Sequence, residues 1–186
     1  MADGRAAVGS TLTTMTRYIA LLRGINVGRA KRVAMPLLRK MATGLGYTDV
    51  ATVLNSGNLL LTTDEDADTV GRRVEQGIED TFGLHADVVV RTAEQLAAVL
   101  ATNPFPDGDP SRVTVAFLAA AAPEGLAERM AALATEDEPF LVTDSEVYVH
   151  YGHGQGESRL AAASYGVGAT VRNLRTVTRL VDLSSS

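Results

Sequence analysis

Apolar residues in the first half of the chain follow two periods, one typical of strands and one typical of helices. The run at residues 17–23, RYIALLR, predicts a buried strand that Gly24 ends. Helical spacing of apolar positions predicts helices over 35–45 and 64–82, and shorter runs predict strands over 47–54, 59–62 and 86–91. The resulting order, β-α-β-β-α-β, is that of a ferredoxin-like unit.

The second half nearly repeats this order. After a short helix at 92–101, a segment rich in Pro and Gly at 103–111 is the best candidate for a domain boundary. The patterns beyond it predict a strand at 113–118, a helix at 123–134, strands near 140–143 and 147–151, and a helical C-terminus from Ser158. The element order therefore predicts an α+β protein whose architecture is repeated.

Composition excludes several classes of protein. The chain has no cysteine, which excludes disulfides, thiolate zinc sites and cysteine nucleophiles and fits a reducing compartment. No run of about 18 apolar residues is present, so no membrane span is expected. Residues 1–15 lack the apolar core of a secretory signal, so we expect a disordered tail, or a start at Met15, and a cytoplasmic protein.

Charge is distributed unevenly along the chain. The net charge is −5, yet residues 17–48 contain seven basic side chains and no acidic one. Residues 158–181 contain four more basic side chains, again with no acidic one. Because segregated charge indicates a partner of opposite sign, these two segments are the first candidates for an anion-binding surface.

The loop after the first predicted strand is one candidate site. Glycines there allow a ligand to approach the backbone, and the following helix offers free N–H groups to an anion. Neither a P-loop nor a dinucleotide-binding pattern is present. The candidate ligand-binding residues are Arg23, Asn26, Lys31 and Arg32, and the alternative is a solvated basic loop.

The segment from Gly166 to Asn173 is the second candidate. We predict Thr170 as the N-cap of the last helix, with Arg172 and Asn173 in its first turn. Arg175 and Arg179 would share the face of Arg172 on that helix. The alternative is a capped helix with a solvated basic face. Ser56 and Asn58, in a predicted hairpin turn, are included as candidates that lie nearby.

Other chemistry has weaker support. His150 and His153 near acidic residues raise the possibility of a metal site, but two histidines after a strand set no ligand geometry, so no metal is predicted. The nucleophile elbow of serine hydrolases is absent. No catalytic residue or cofactor can be named, and whether the protein is an enzyme is left open.

Three motifs resemble a known family. Residues 18–28 have the sequence YIALLRGINVG, an L-x-SGN turn follows at 54–58, and residues 170–176 match TxRNxxT. With these motifs the chain resembles the bacterial family catalogued as domain of unknown function 1697. The resemblance implies two ferredoxin-like (βαββαβ-type) subdomains packed together, which we place at 16–102 and 112–186 around a linker at 103–111. It implies no activity.

These observations predict a protein that binds a phosphate- or carboxylate-bearing small molecule where the two basic segments meet. If the first and last helices lie side by side, eleven cations share one surface. Two alternatives use the same surface, namely nucleic-acid binding and protein interaction, including association between copies of this chain. No membrane partner is expected.

Overall fold

The computed structural model describes residues 14–26, 32–156 and 158–185. The first half contains four strands and three helices: β1 (Thr16–Leu22), α1 (Met35–Gly44), β2 (Thr48–Val53), β3 (Asn58–Thr63), α2 (Ala67–Phe82), β4 (Val88–Thr92) and α3 (Ala93–Ala101). The second half contains β5 (Val113–Leu118), α4 (Leu126–Ala131), β6 (Phe140–Val142), β7 (Glu146–His150), a short 3-10 helix (Leu160–Ala162), β8 (Ala169–Asn173) and α5 (Leu174–Ser184). Residues 1–13 of the tail predicted at 1–15, and residues 27–31 of the basic loop, lie outside the described residues.

The strands form two antiparallel four-stranded sheets. Their orders are β2-β3-β1-β4 and β6-β7-β5-β8, so each half builds a sheet with the same topology. This confirms the predicted α+β fold of two ferredoxin-like subdomains packed together. The division into domains at 103–111 stays a prediction.

Apolar clusters cover both faces of each sheet. Helices α1 and α2 pack on the outer face of the first sheet, and α4 and the 3-10 helix pack on the outer face of the second. Helices α3 and α5 lie in the cluster that joins the two inner faces. Helices α1 and α5 therefore lie on opposite faces of the first sheet, so the condition for a shared surface of eleven cations is not met.

Strand register shows that the two sheets are equivalent residue by residue. Ile19 pairs with Arg91 in the first sheet, and Val115 pairs with Arg172 in the second. Leu21 pairs with Asn58, and Phe117 pairs with Glu146. These pairings make Arg91 equivalent to Arg172 and Asn58 equivalent to Glu146.

The C-terminal segment differs from its sequence-based prediction. Residues 169–173 form strand β8, and Asn173, not Thr170, is the N-cap of α5, accepting a hydrogen bond from Thr176 N at 3.0 Å. Arg172 therefore lies on a strand and does not share a helical face with Arg175 and Arg179. Pairing with β5 completes the second sheet, and the β-branched Thr170 and Val171 suit a strand.

Two other features differ between prediction and structure. Helix α4 begins at Leu126 and is shorter than the predicted 123–134. The 3-10 helix at Leu160–Ala162 stands in the second half where the 16-residue α2 stands in the first. No helix of the described residues is both long and apolar enough to cross a membrane.

Candidate functional site

A cleft of about 870 Å³ lies between the end of β1 and the edge of β8. We call it the C-terminal cleft, and its walls are residues 22–25, Ser56 and residues 161–172. Arg23 and Arg172 are the only charged side chains among these described residues, so the cleft has no acidic wall. The exposed Arg23 side chain lies 3.5 Å from Asp87, a surface pair whose mutual stabilisation is small.

Arg172 is buried at the base of this cleft, with 9% of its surface exposed. Its Nη2 donates to Leu22 O at 2.8 Å and to Ser56 O at 3.0 Å. Its Nη1 donates to Thr170 Oγ1 and Val171 O, both at 2.8 Å. The guanidinium thus joins β8 of the second sheet to β1 and the hairpin turn of the first.

The amide of Asn58 completes this network and has a defined orientation. Asn58 Oδ1 accepts from Arg172 Nε at 2.7 Å, and its Nδ2 donates to Val53 O at 2.8 Å and to Ser56 Oγ at 3.1 Å. Because Ser56 Oγ already accepts this bond, its own proton is free to be donated towards the cleft. Gly57 makes the arrangement possible, since at its φ of 80° a Cβ would meet Leu22 and Ile25 at less than 3 Å.

The charge of Arg172 meets no carboxylate. All of its hydrogen-bond partners are neutral oxygens, and it takes part in no salt bridge within the described parts of the chain. Burial lowers the pKa of Arg172 to about 10. The group therefore remains charged at neutral pH, as a buried cation with no acidic partner.

The equivalent Arg91 has a carboxylate partner. Arg91 Nη2 donates to Leu118 O at 2.9 Å and Ser145 O at 3.1 Å, the carbonyls equivalent to those of Leu22 and Gly57. Arg91 Nε, however, donates to Glu146 Oε1 at 3.1 Å, with both side chains largely buried. The same framework therefore neutralises one arginine and leaves the other uncompensated.

The cleft also has a smaller equivalent in the first half. A depression of about 240 Å³ lies between α2, β4 and Ala119, the residue equivalent to Arg23. Helix α2 fills most of this space and contributes Asp68, Arg72 and Glu75 to its walls. The C-terminal cleft is larger because a single 3-10 turn replaces that helix.

The predicted site residues fall into three groups. Arg23, Ser56, Thr170 and Arg172 line the cleft, and Asn58 lies directly behind it. Asn26 and Arg32 line a separate depression, and Asn173 lines a third depression. Lys31 lies outside the described residues.

Asn26 has a structural role of its own. Its amide donates to Val33 O and Asn55 O at 3.0 and 2.8 Å, and its Oδ1 accepts from Val33 N at 2.8 Å. These contacts fix the two ends of the basic loop to the hairpin turn. The side chain is therefore committed to the fold and not to a ligand.

Sequence reasoning missed several residues of this arrangement. Tyr165 lines the cleft, and burial raises the pKa of its hydroxyl to about 12, so that it stays protonated and able to donate. Arg91 and Glu146 were also missed. The one available signal was that Val90-Arg91-Thr92 and Val171-Arg172-Asn173 have similar sequences before a helix.

The histidines are placed apart from the cleft. His153 lies 3.2 Å from Asp137 on the surface, and the ring of His150 packs 6.0 Å from that of Phe105. Within the described residues, no group of three or more His, Asp or Glu side chains is arranged to hold a metal ion.

Comparison with known proteins adds a family and a fold. The model of the family described as protein of unknown function (DUF1697) matches residues 15–148. The solved structure of the conserved bacterial protein SP0830 from Streptococcus pneumoniae is similar, with a TM-score of 0.76 at 23% identity, over 92% of this chain and 99% of that one. No curated protein matches the chain. Since the family model spans most of the chain, this protein belongs to the DUF1697 family of proteins of unknown function, as its N-terminal signature indicated.

Proposed function

We propose that the C-terminal cleft binds a small molecule bearing an anionic group. The observation that carries this proposal is the buried charge of Arg172, which borders an open cleft and has no carboxylate partner among the described residues. A buried cation is costly unless an opposite charge offsets it, and Glu146 fulfils that role for Arg91. An anion in the cleft would do the same for Arg172.

Arg172 would act on such a ligand through its charge. Every N–H group of its guanidinium already has a protein acceptor, so it has none to spare for a ligand. Direct hydrogen bonds would come from other groups on the walls, namely the hydroxyl of Ser56 and the guanidinium of Arg23. In a partly desolvated cleft, the field of a fixed cation acts more strongly than in bulk water.

The size of the cleft suits a small molecule. Its volume of about 870 Å³ lies within the usual range of ligand pockets, roughly 300–1,000 Å³. Base stacking on the sheets, as in many RNA-binding domains, has no support, because the strand aromatics Tyr18, Phe117 and Tyr148 are buried and the half-buried Phe140 packs against an apolar cluster. The small-molecule proposal is therefore preferred to nucleic-acid binding.

The proposal is tested by adding an acidic group to the wall of the cleft. In Ser56→Asp, a carboxylate would lie beside Arg172 and still accept the hydrogen bond from Asn58, whereas Ser56→Asn is a neutral variant of the same shape. Phosphate, pyrophosphate, sugar phosphates and small carboxylates are titrated into all three proteins by calorimetry and by thermal unfolding. We expect at least one anion to bind the parent and Ser56→Asn, and to bind Ser56→Asp at least tenfold more weakly.

Equal affinity for Ser56→Asp and Ser56→Asn would contradict the cleft as the site. A steep loss of affinity with salt for short RNA, together with tighter binding than for any small anion, would favour the nucleic-acid alternative. An unfolding temperature that no anion raises would contradict anion binding by this fold, because a ligand at about 100 times its Kd adds roughly 2.7 kcal/mol of stability.

A further inference from the structure

The edge of strand β8 presents backbone donors to the cleft. Ala119 N donates to Gly168 O at 2.8 Å, so the backbone groups of residues 168, 170 and 172 point towards β5. The alternate residues Ala169 and Val171 therefore direct their N–H groups away from β5, and both residues line the cleft. Strand β8 is the last strand of its sheet in the part of the chain that the structure describes, so no neighbouring strand there takes these bonds.

In the first half, a carboxylate occupies the equivalent place. Val88 is equivalent to Ala169, because Val88 pairs with Leu22 and Ala169 pairs with Leu118. Val88 N donates to Glu75 Oε1, a side chain of α2, at 2.9 Å. The second half has no α2, and within the described residues Ala169 N has no acceptor.

Two further exchanges make the surroundings of Ala169 more favourable to an anion. Arg23 lines the C-terminal cleft where Ala119 lines the depression beside α2, and Thr170 stands where that depression has Val89. A third difference is that Asn58 stands in place of Glu146. Arg172 therefore binds a neutral amide where Arg91 binds a carboxylate. The C-terminal cleft thus has the cations and the N–H group of a carboxylate site but, among its described residues, no carboxylate.

We propose that the ligand of the C-terminal cleft is a carboxylic acid whose carboxylate accepts a hydrogen bond from Ala169 N, as Glu75 does from Val88 N. This inference rests on the proposed function and specifies the ligand class. The ligand class follows from the equivalence with Glu75, whose carboxylate is the acceptor that the fold places at this backbone N–H in the first half. The N–H groups of Arg172 are already used, so Arg172 would act on the carboxylate through its charge, while Ser56 and Arg23 on the same cleft are further donors.

Amide NMR of the full chain tests this proposal. Propionate, which reproduces the end of a glutamate side chain, is the probe, propionamide is its neutral control, and inorganic phosphate at equal ionic strength is the competitor. We expect propionate to shift the Ala169 amide saturably and propionamide to leave it in place. The Val88 amide should not respond in the parent, but should respond in Glu75→Ala, where the protein's own carboxylate is removed.

The possible outcomes test the ligand class and the location of the site independently. If phosphate shifts the Ala169 amide as strongly as propionate, the carboxylate assignment is overturned and anion binding stands. If propionate moves the amides of Arg23 and Gly24 but not that of Ala169, the role of the strand edge is overturned and the cleft stands. If neither anion moves any cleft amide, this inference and the proposed function fail together.

Discussion

Arg91 and Arg172 occupy equivalent positions and donate to equivalent carbonyl groups, yet only Arg91 meets a carboxylate. The difference arises from one pair of residues, Glu146 and Asn58, at the first position of equivalent strands. Asn58 satisfies the Nε–H of Arg172 without neutralising its charge. The hydrogen bonds that hold Arg172 are thereby kept, while its charge is left available to the cleft.

The network of Arg172 predicts that lysine cannot replace it. Arg172→Lys keeps the charge but loses several hydrogen bonds to buried oxygens of Leu22, Ser56 and Asn58. We expect a loss of about 2–4 kcal/mol in the free energy of unfolding, measured by urea denaturation. Arg175→Lys, at an exposed position of α5, is the control and should change stability by less than about 0.5 kcal/mol. Equal stability of the two variants would contradict a structural role for Arg172.

The residues of this network were accessible to sequence reasoning, but their pairing was not. Arg172, Asn58, Ser56 and Thr170 were all named as candidates. Arg172 and Asn58 are separated by 114 positions, and only the packing of the two sheets brings them together. No local pattern indicates such a contact. Arg172 and Asn58 were therefore expected to bind a ligand, whereas in the structure they bind each other.

Strand β8 and helix α5 form the element on which the cleft depends. The segment before β8 contains three alanines and two glycines and forms only a 3-10 turn, so the edge of β8 is left open where α2 covers β4. Asn173 then ends the strand and begins the helix, as Thr92 does between β4 and α3. This junction fixes the position of Arg172 one residue before the end of β8.

The equivalence of the two junctions predicts similar costs for removing their caps. Asn173→Ala and Thr92→Ala each remove an acceptor for a backbone N–H at the start of a helix. We expect each to lower the free energy of unfolding by about 1 kcal/mol, measured by thermal or urea denaturation. Asn173→Ser retains a capping oxygen and should cost less than Asn173→Ala. If Asn173→Ala proved neutral while Thr92→Ala was costly, α5 would not depend on this cap.

Helices and strands of the first half were predicted within a few residues, because periodicity and end signals agree there. The stripe of α2, for example, is bounded by the Asp66 cap and by Gly83 in the left-handed conformation. The prediction of a helical C-terminus from Ser158 is confirmed for α5 and wrong at residues 169–173, for a physical reason. Residues 169–173 are short and carry both β-branched and polar side chains, so only pairing with β5 decides that they form a strand. Without a prediction of β8, the fourth strand of the second sheet, the whole repeat cannot be recognised from the sequence.

At the scale of the whole molecule, each half contributes one arginine that binds the strand ends of the other half. Arg91 of the first half binds the ends of β5 and β7, and Arg172 of the second half binds the ends of β1 and β3. A shared apolar cluster with α3 and α5 lies between the inner faces of the sheets. The basic residues of α1 lie on the far side of the first sheet, so the proposed anion site depends on Arg23 and Arg172 and not on a surface of eleven cations.

The central claim is that the missing acid beside Arg172 makes the C-terminal cleft a site for anions. Asn58→Asp tests it most directly, because Asn58 touches Arg172 and does not itself line the cleft, so the carboxylate compensates the charge at the cost of the Nδ2 hydrogen bonds to Val53 O and Ser56 Oγ. The measurement is the affinity, by calorimetry, of the parent and Asn58→Asp for the tightest-binding anion, with circular dichroism to establish that both are folded. We expect the folded Asn58→Asp to lose at least tenfold in affinity. Unchanged affinity in that variant would contradict the claim.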